Sequence, residues 1–183
     1  MNEDMVGWAS TEGGLVVLRL ADVEKWDDQT LYRNLRHELA HVGLSRYLLG
    51  AKVPRWLAEG YSEFAAGGLT CEREVRLIFF LRSQQQERDS ARLRLRLDEI
   101  GNTRLGYDLF ASFFAFLEAS PMSSVTSGMM FANMQRWGVD EGLRRTFGVS
   151  IEVLEQRWRS PLVKKYRQSL DVVTERCVAA DVR

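Results

Sequence analysis

A chain of 183 residues, 45% hydrophobic and 27% charged, has room for one buried core with at most an appendage. Its 25 basic and 25 acidic side chains cancel to a formal net charge of +0, which disfavours nucleic acid or an anionic membrane surface as partner. No apolar run reaches about eighteen residues, so no transmembrane segment is expected.

The first residues, Met1-Asn2-Glu3-Asp4-Met5, are acidic and lack the basic and apolar regions of a signal peptide. The expected location is therefore cytoplasmic by default, or exported if an upstream segment has been removed. Residues 15–20, Leu-Val-Val-Leu-Arg-Leu, are rich in β-formers and follow the turn signal Gly13-Gly14. They read as a strand, with residues 5–9 as its hairpin partner. A lone hairpin is marginal in water, so this one must rest on helices or on something outside the chain.

Asp27 or Asp28 is placed to cap a long helix running to about Leu49 and stopped by Gly50. Leu31, Leu35, Leu39 and Val42 mark its expected apolar stripe. Pro54 suits the first turn of a second helix that ends at Gly67-Gly68. Thr70 can cap a third helix carrying Val75, Ile78, Phe79 and Leu81. Residues 83–104 are polar and loop-like, apart from the period-two stretch 92–97, which reads as an edge strand or an extended loop. Residues 105–119 form a strongly apolar helix closed by Ser120-Pro121. Shorter helices are expected over 124–137, 140–147 (capped by Asp140) and 151–159, with Pro161 breaking or kinking the chain before a helical tail. The whole reads as α+β and mostly helical, with a small N-terminal hairpin and a C-terminal helical subdomain. Cys71 and Cys177 are far apart and form no C-x-x-C pair, so two ordinary thiols are expected, with a single disulfide as the alternative.

The chain has only two histidines, and they fall in His37-Glu38-Leu39-Ala40-His41 on the long helix. Residues four apart share a helix face, so both imidazoles can address one metal ion, with Glu38 beside it to take a proton from a bound water. Catalytic zinc normally has three protein ligands and an open position. Seventeen residues separate His41 from Glu59, about two turns, a loop and the entry of an antiparallel helix that can return a carboxylate to the same ion. Glu59 is thus the candidate third ligand, its alternative being a solvated helix charge. Glu63, one turn further on, is placed to accept an imidazole N–H and orient the ring, or else is simply exposed. Two nitrogens and one oxygen suit zinc, one ion per chain.

Arg36-His37-Glu38-Leu39-Ala40-His41, followed by Val53-Pro54-Arg55-Trp56-Leu57-Ala58-Glu59-Gly60-Tyr61-Ser62-Glu63-Phe64, resembles the gluzincin metallopeptidases, most nearly the peptidase MA-like family, whose second helix reads W-L-x-E-G-x-A-E-[YF]. Gly106-Tyr107-Asp108-Leu109-Phe110-Ala111-Ser112 is similar to a further helix of that family. Leu143-Arg144-Arg145-Thr146-Phe147-Gly148-Val149-Ser150, with Leu154 and Trp158, is similar to its closing element. The resemblance spans roughly residues 7–160. It implies a zincin-like metallopeptidase domain over residues 1–160 and a C-terminal helical tail over 161–183.

By the same resemblance the activity is zinc-dependent hydrolysis of peptide bonds in a peptide or protein substrate, with Glu38 as general base. Gluzincins commonly place a Tyr or His across the metal to stabilise the oxyanion. With no third histidine, Tyr107 is the candidate here, against the alternative of a core tyrosine with its hydroxyl at the surface. Zincin-like folds usually place several strands before the active-site helix. Only about 26 residues precede it here, so either a reduced sheet or an upstream segment outside this chain is expected. The competing reading is a non-catalytic or regulatory zinc-binding domain of metalloprotease-like fold that binds a peptide or protein partner.

Overall fold

The computed structural model describes residues 7–10, 14–19, 23–86, 96–119 and 127–167. Among these, seven helices follow one two-stranded antiparallel sheet. Strands β1 (Gly7–Ser10) and β2 (Leu15–Leu18) pair with Gly7 opposite Leu18 and Ser10 opposite Leu15. The hairpin lies on helix α1 (Asp28–Tyr47), which supplies the support that two strands alone lack. Asp27 caps α1 by accepting a 2.8 Å hydrogen bond from the Thr30 N–H, and Asp28 sits in the first turn, where the helix dipole favours a negative charge.

The next helices, α2 (Arg55–Ala65), α3 (Cys71–Gln86) and α4 (Arg104–Glu118), build the centre of the molecule. Thr103 caps α4 through a 3.1 Å bond from the Gly106 N–H. Helix α4 is buried around most of its circumference, with Leu109, Phe110, Phe113, Phe114 and Leu117 all in the core. Helices α5 (Ser127–Trp137) and α6 (Val139–Phe147) form a tight pair, and α7 (Ile151–Arg167) packs on α3 and α4. Trp158 of α7 fills the core and donates its indole N–H to Ser112 Oγ of α4 at 3.2 Å. No described helix is long and apolar enough to cross a membrane.

Several expectations shift. On α1 the expected stripe is only partly buried. Leu39 is 52% exposed, and Ala40, Val42, Leu44 and Leu48 are the buried residues. The partners of α1 lie towards the His37/His41 side, so Leu39, between the histidines, faces out. Helix α3 runs to Gln86, past the expected loop start at 83, and Ser83 turns its hydroxyl back to the Phe80 carbonyl at 2.8 Å. The stretch 92–95 lies outside the described residues. Leu97 belongs to no strand. It is buried, and its N–H donates to Glu155 at 3.0 Å.

Asp140 stands in the first turn of α6 instead of capping it, because Gly138, at φ 79°, ends α5 and opens α6 at once. Helix α7 continues through Pro161 to Arg167. Proline costs one backbone hydrogen bond, and burial of Leu162 alongside Trp158 offsets that loss. Cys71 is disulfide-bonded, not a free thiol. Separation along the chain sets no limit on which residues a fold brings together, so spacing alone does not decide between thiol and disulfide.

A close contact between α2 and α4 positions the site. Gly60 lets α2 lie against α4, where a Cβ would come within 2.8 Å of the Phe110 carbonyl oxygen. The obstacle is backbone, so the helices themselves must move. Alanine gains roughly 1 kcal/mol in helix propensity, but overpacking against backbone, roughly 2–3 kcal/mol, opposes it. Gly60→Ala is therefore expected to lower Tm by roughly 2–8 °C. A thermal melt with Tm equal to or above the parent's would refute this account of the α2–α4 contact.

Candidate metal centre

The site forms where α1 and α2 run side by side beneath the start of α4. His37 and His41, one turn apart on α1, bring their Nε2 atoms to 3.1 Å. Glu59 of α2 places Oε2 3.4 Å from each of these nitrogens. The three donor atoms make a nearly equilateral triangle, and this is the described group of histidine and carboxylate side chains that could hold a metal ion. A tetrahedral ion with bonds of about 2.0–2.1 Å separates its ligand atoms by roughly 3.3–3.4 Å. The observed edges of 3.1, 3.4 and 3.4 Å therefore fit a metal held by two nitrogens and one oxygen.

The electrostatics follow from this crowding. Burial alone would raise Glu59, but hydrogen bonds and positive charge from His37 and His41 outweigh it and hold the carboxyl at about 2. His37 moves the other way. Burial would depress it, but the Glu59 hydrogen bond and the charges of Glu63, Glu59 and Glu38 raise it above its ordinary value. Glu38 is half-buried, and burial pushes its carboxyl up against the opposing pull of His37 and His41. A carboxyl poised upward is a better proton acceptor than an ordinary glutamate.

Glu63 lies where the spacing places it. Its Oε1 is 3.5 Å from His37 Nδ1, on the ring edge opposite the nitrogen that faces Glu59. Tyr107, in the first turn of α4, has its ring centroid 6.4 Å from that of His37. Burial raises the Tyr107 hydroxyl further above neutral, with Glu59 acting in the same direction and Arg55 opposing. It is therefore a protonated donor across the usual pH range. The Arg55 guanidinium lies 5.7 Å over the Tyr107 ring and donates to Asn102.

The charges behind Glu63 come from residues far apart in the sequence. Arg33 and Arg73 both approach its Oε2, and Arg73 also reaches Asp108, which Arg76 grips from the other side. Two signals were available. Arg33 is four residues before His37, on the same helix face. Asp108 is the lone charge in the apolar helix 105–117, and a charge there needs a partner.

Comparison with known protein families, curated proteins and solved structures finds no match to this chain.

The His37–Glu59 coupling has a definite pH signature in the metal-free chain. Glu59 lies below its ordinary 4.5, so its contribution to stability is complete above that pH and lost as pH falls towards about 2. His37 lies above its ordinary 6.5, so its contribution is complete below 6.5 and lost as pH rises through the raised value. The Tm advantage of the parent over Glu59→Gln, with chelator present, should therefore be largest between pH 4.5 and 6.5 and shrink on both sides. An advantage that keeps growing from pH 6.5 to alkaline pH would show that the pair is not coupled this way.

Proposed function

We propose that this protein is a zinc-dependent peptidase of gluzincin type, with a zincin-like catalytic unit built on α1, α2 and α4. The observation that carries the reading is the triangle of His37 Nε2, His41 Nε2 and Glu59 Oε2, with an unused glutamate, Glu38, next to the first histidine. A site that only held metal would have no need of that fourth group. The mix of imidazole and carboxylate donors, without thiolate, suits zinc in a catalytic setting. His37, His41 and Glu59 would hold the ion.

When bound there, zinc would supply Lewis-acid chemistry, lowering the pKa of a water and polarising the scissile carbonyl. Glu38 accepts the water proton as the oxygen attacks the carbonyl carbon. The same carboxyl then delivers that proton to the nitrogen of the departing amine, so one residue serves as base and then acid. The raised proton affinity of Glu38 in the metal-free chain suits the first of these roles, that of proton acceptor. Tyr107 donates its hydroxyl proton in a hydrogen bond to the oxyanion, and the Arg55 guanidinium steadies its ring from one face. Glu63, beside His37 Nδ1, would favour the tautomer protonated there, which leaves the Nε2 lone pair free to hold the ion.

Metal analysis joined to digestion of a broad peptide library tests this directly. One zinc per chain and cleavage of at least some peptides are expected. Glu38→Gln should retain zinc while losing activity by on the order of 10²–10⁴-fold. Hydrolysis by that variant at the parent rate would remove Glu38 from the chemistry. Zinc binding by the parent with no cleavage of any peptide would instead favour a peptide-binding or regulatory domain.

Tyr107→Phe removes a single donor. A fall in kcat of about 10²-fold, with KM nearly unchanged, is the expected result. A change confined to KM would assign Tyr107 to substrate binding and take the oxyanion role from it.

A further inference from the structure

Glu63 can orient His37 only if its own carboxylate is held still. It sits on α2 with its side chain 9% exposed, and Oε1 faces His37 Nδ1 at 3.5 Å. The other oxygen, Oε2, is 2.5 Å from Arg73 Nη1 and 3.6 Å from Arg33 Nη2. Arg73 lies on α3, which supplies none of the candidate metal ligands. Its Nε is 3.4 Å from Asp108 Oδ1 on α4, and the Asp108 side chain is only 1% exposed. Asp108 in turn accepts from Arg76 Nε at 2.8 Å and from Arg76 Nη2 at 3.3 Å. One planar guanidinium thus joins two buried carboxylates from different helices.

We infer that Arg73 is a positioning residue of the metal centre, acting on His37 through Glu63. This rests on reading His37, His41 and Glu59 as the metal site. The physical case has three parts. A metal-bound imidazole is a better and better-oriented ligand when its second nitrogen donates to a fixed acceptor. A glutamate side chain has three rotatable bonds, so an acceptor held at one oxygen only by an imidazole would be loosely placed. Arg73 pairs with the opposite oxygen through Nη1 as an ion pair, and the separate edge of its guanidinium, at Nε, pairs with Asp108.

The placement of Asp108 adds a second consequence. It is adjacent to Tyr107, so the same guanidinium that holds Glu63 also fixes the first turn of α4. Arg73 therefore ties the position of the imidazole to that of the phenol although it touches neither. Arg33 adds charge from α1 on the Glu63 side but reaches only one carboxylate, and Arg76 reaches Asp108 but not Glu63. Arg73 alone spans the two among the described residues.

The test is a double-variant cycle read as metal affinity. Zn²⁺ affinity is measured by competition with a chromophoric chelator for the parent, Arg73→Met, Glu63→Gln and the double variant, and the d–d spectrum is recorded with Co²⁺ in place of zinc. Each single variant should bind zinc about 10–100-fold more weakly. The double variant should be no more than about 3-fold weaker than the weaker single, because both substitutions break one chain of contacts. The Co²⁺ bands of Arg73→Met should shift in the same sense as those of Glu63→Gln. A purely structural arginine would lower Tm without this shared shift.

Loss of a buried charge could unfold Arg73→Met. Arg73→Lys, which keeps the charge but cannot span both carboxylates, is then run through the same cycle, with a loss of about 3–30-fold expected. Folded Arg73 variants that bind zinc as the parent does would overturn the inference and leave the metal site standing. Losses that multiply in the double variant would overturn it too, since Arg73 would then act independently of Glu63. A parent that binds neither Zn²⁺ nor Co²⁺ overturns the metal site and this inference together, and that outcome appears before any variant is made.

Discussion

Two imidazole nitrogens and a carboxylate oxygen share a space barely wider than a single ion, and the rest of the structure holds them there. The helix backbone sets the distance between His37 and His41, since one turn separates them. Nothing in a single helix sets the position of Glu59. That requires α2 to run alongside α1 at a fixed height, and α2 is held in place by α4, to which it packs most closely at Gly60. The burial of Trp56 and Leu57 on α2 against the phenylalanines of α4 is thus part of the site's construction as much as of the core.

Convergence of this kind is costly in charge. Glu59 is drawn far below an ordinary carboxyl, His37 is raised, and Glu38 is pushed up beside them. Behind Glu63, two buried carboxylates meet three guanidiniums. Such ionic clusters add little net stability compared with an apolar core of the same volume, whereas removal of one member leaves an uncompensated buried charge. Their presence here, next to the donor triangle and in a fold already rich in phenylalanine, makes sense as a means of fixing orientation.

Much of this was legible in the residues. The spacing of His37 and His41, and the carboxylate of Glu59 at the entry of the next helix, predicted a shared face that the fold assembles, and Glu63 falls one turn beyond as helical period requires. The cap at Asp27 and the hairpin before α1 also followed from local chemistry. Long-range partners did not. Leu39 looks like a core residue on its own helix, but which side of α1 is covered depends on elements elsewhere in the chain. Arg73 looks like any surface arginine at the start of a helix, since its two carboxylate partners are 10 residues behind it and 35 ahead. The disulfide at Cys71 belongs to the same class. Periodicity reports which residues share a face, and says nothing of what that face meets.

Helix α4 shows what a single charge can specify. Its buried residues run almost all the way round, so hydrophobic contact alone is nearly indifferent to rotation of the helix about its own axis. Many azimuths would bury comparable area. Asp108 removes that degeneracy, because only one azimuth presents its carboxylate to Arg76 and Arg73. A turn of a few tens of degrees would strand the charge in hydrocarbon. The aspartate thus acts as a key in a keyway: an electrostatic feature that, with the Gly60 contact and the Trp158–Ser112 hydrogen bond, selects one orientation of the helix.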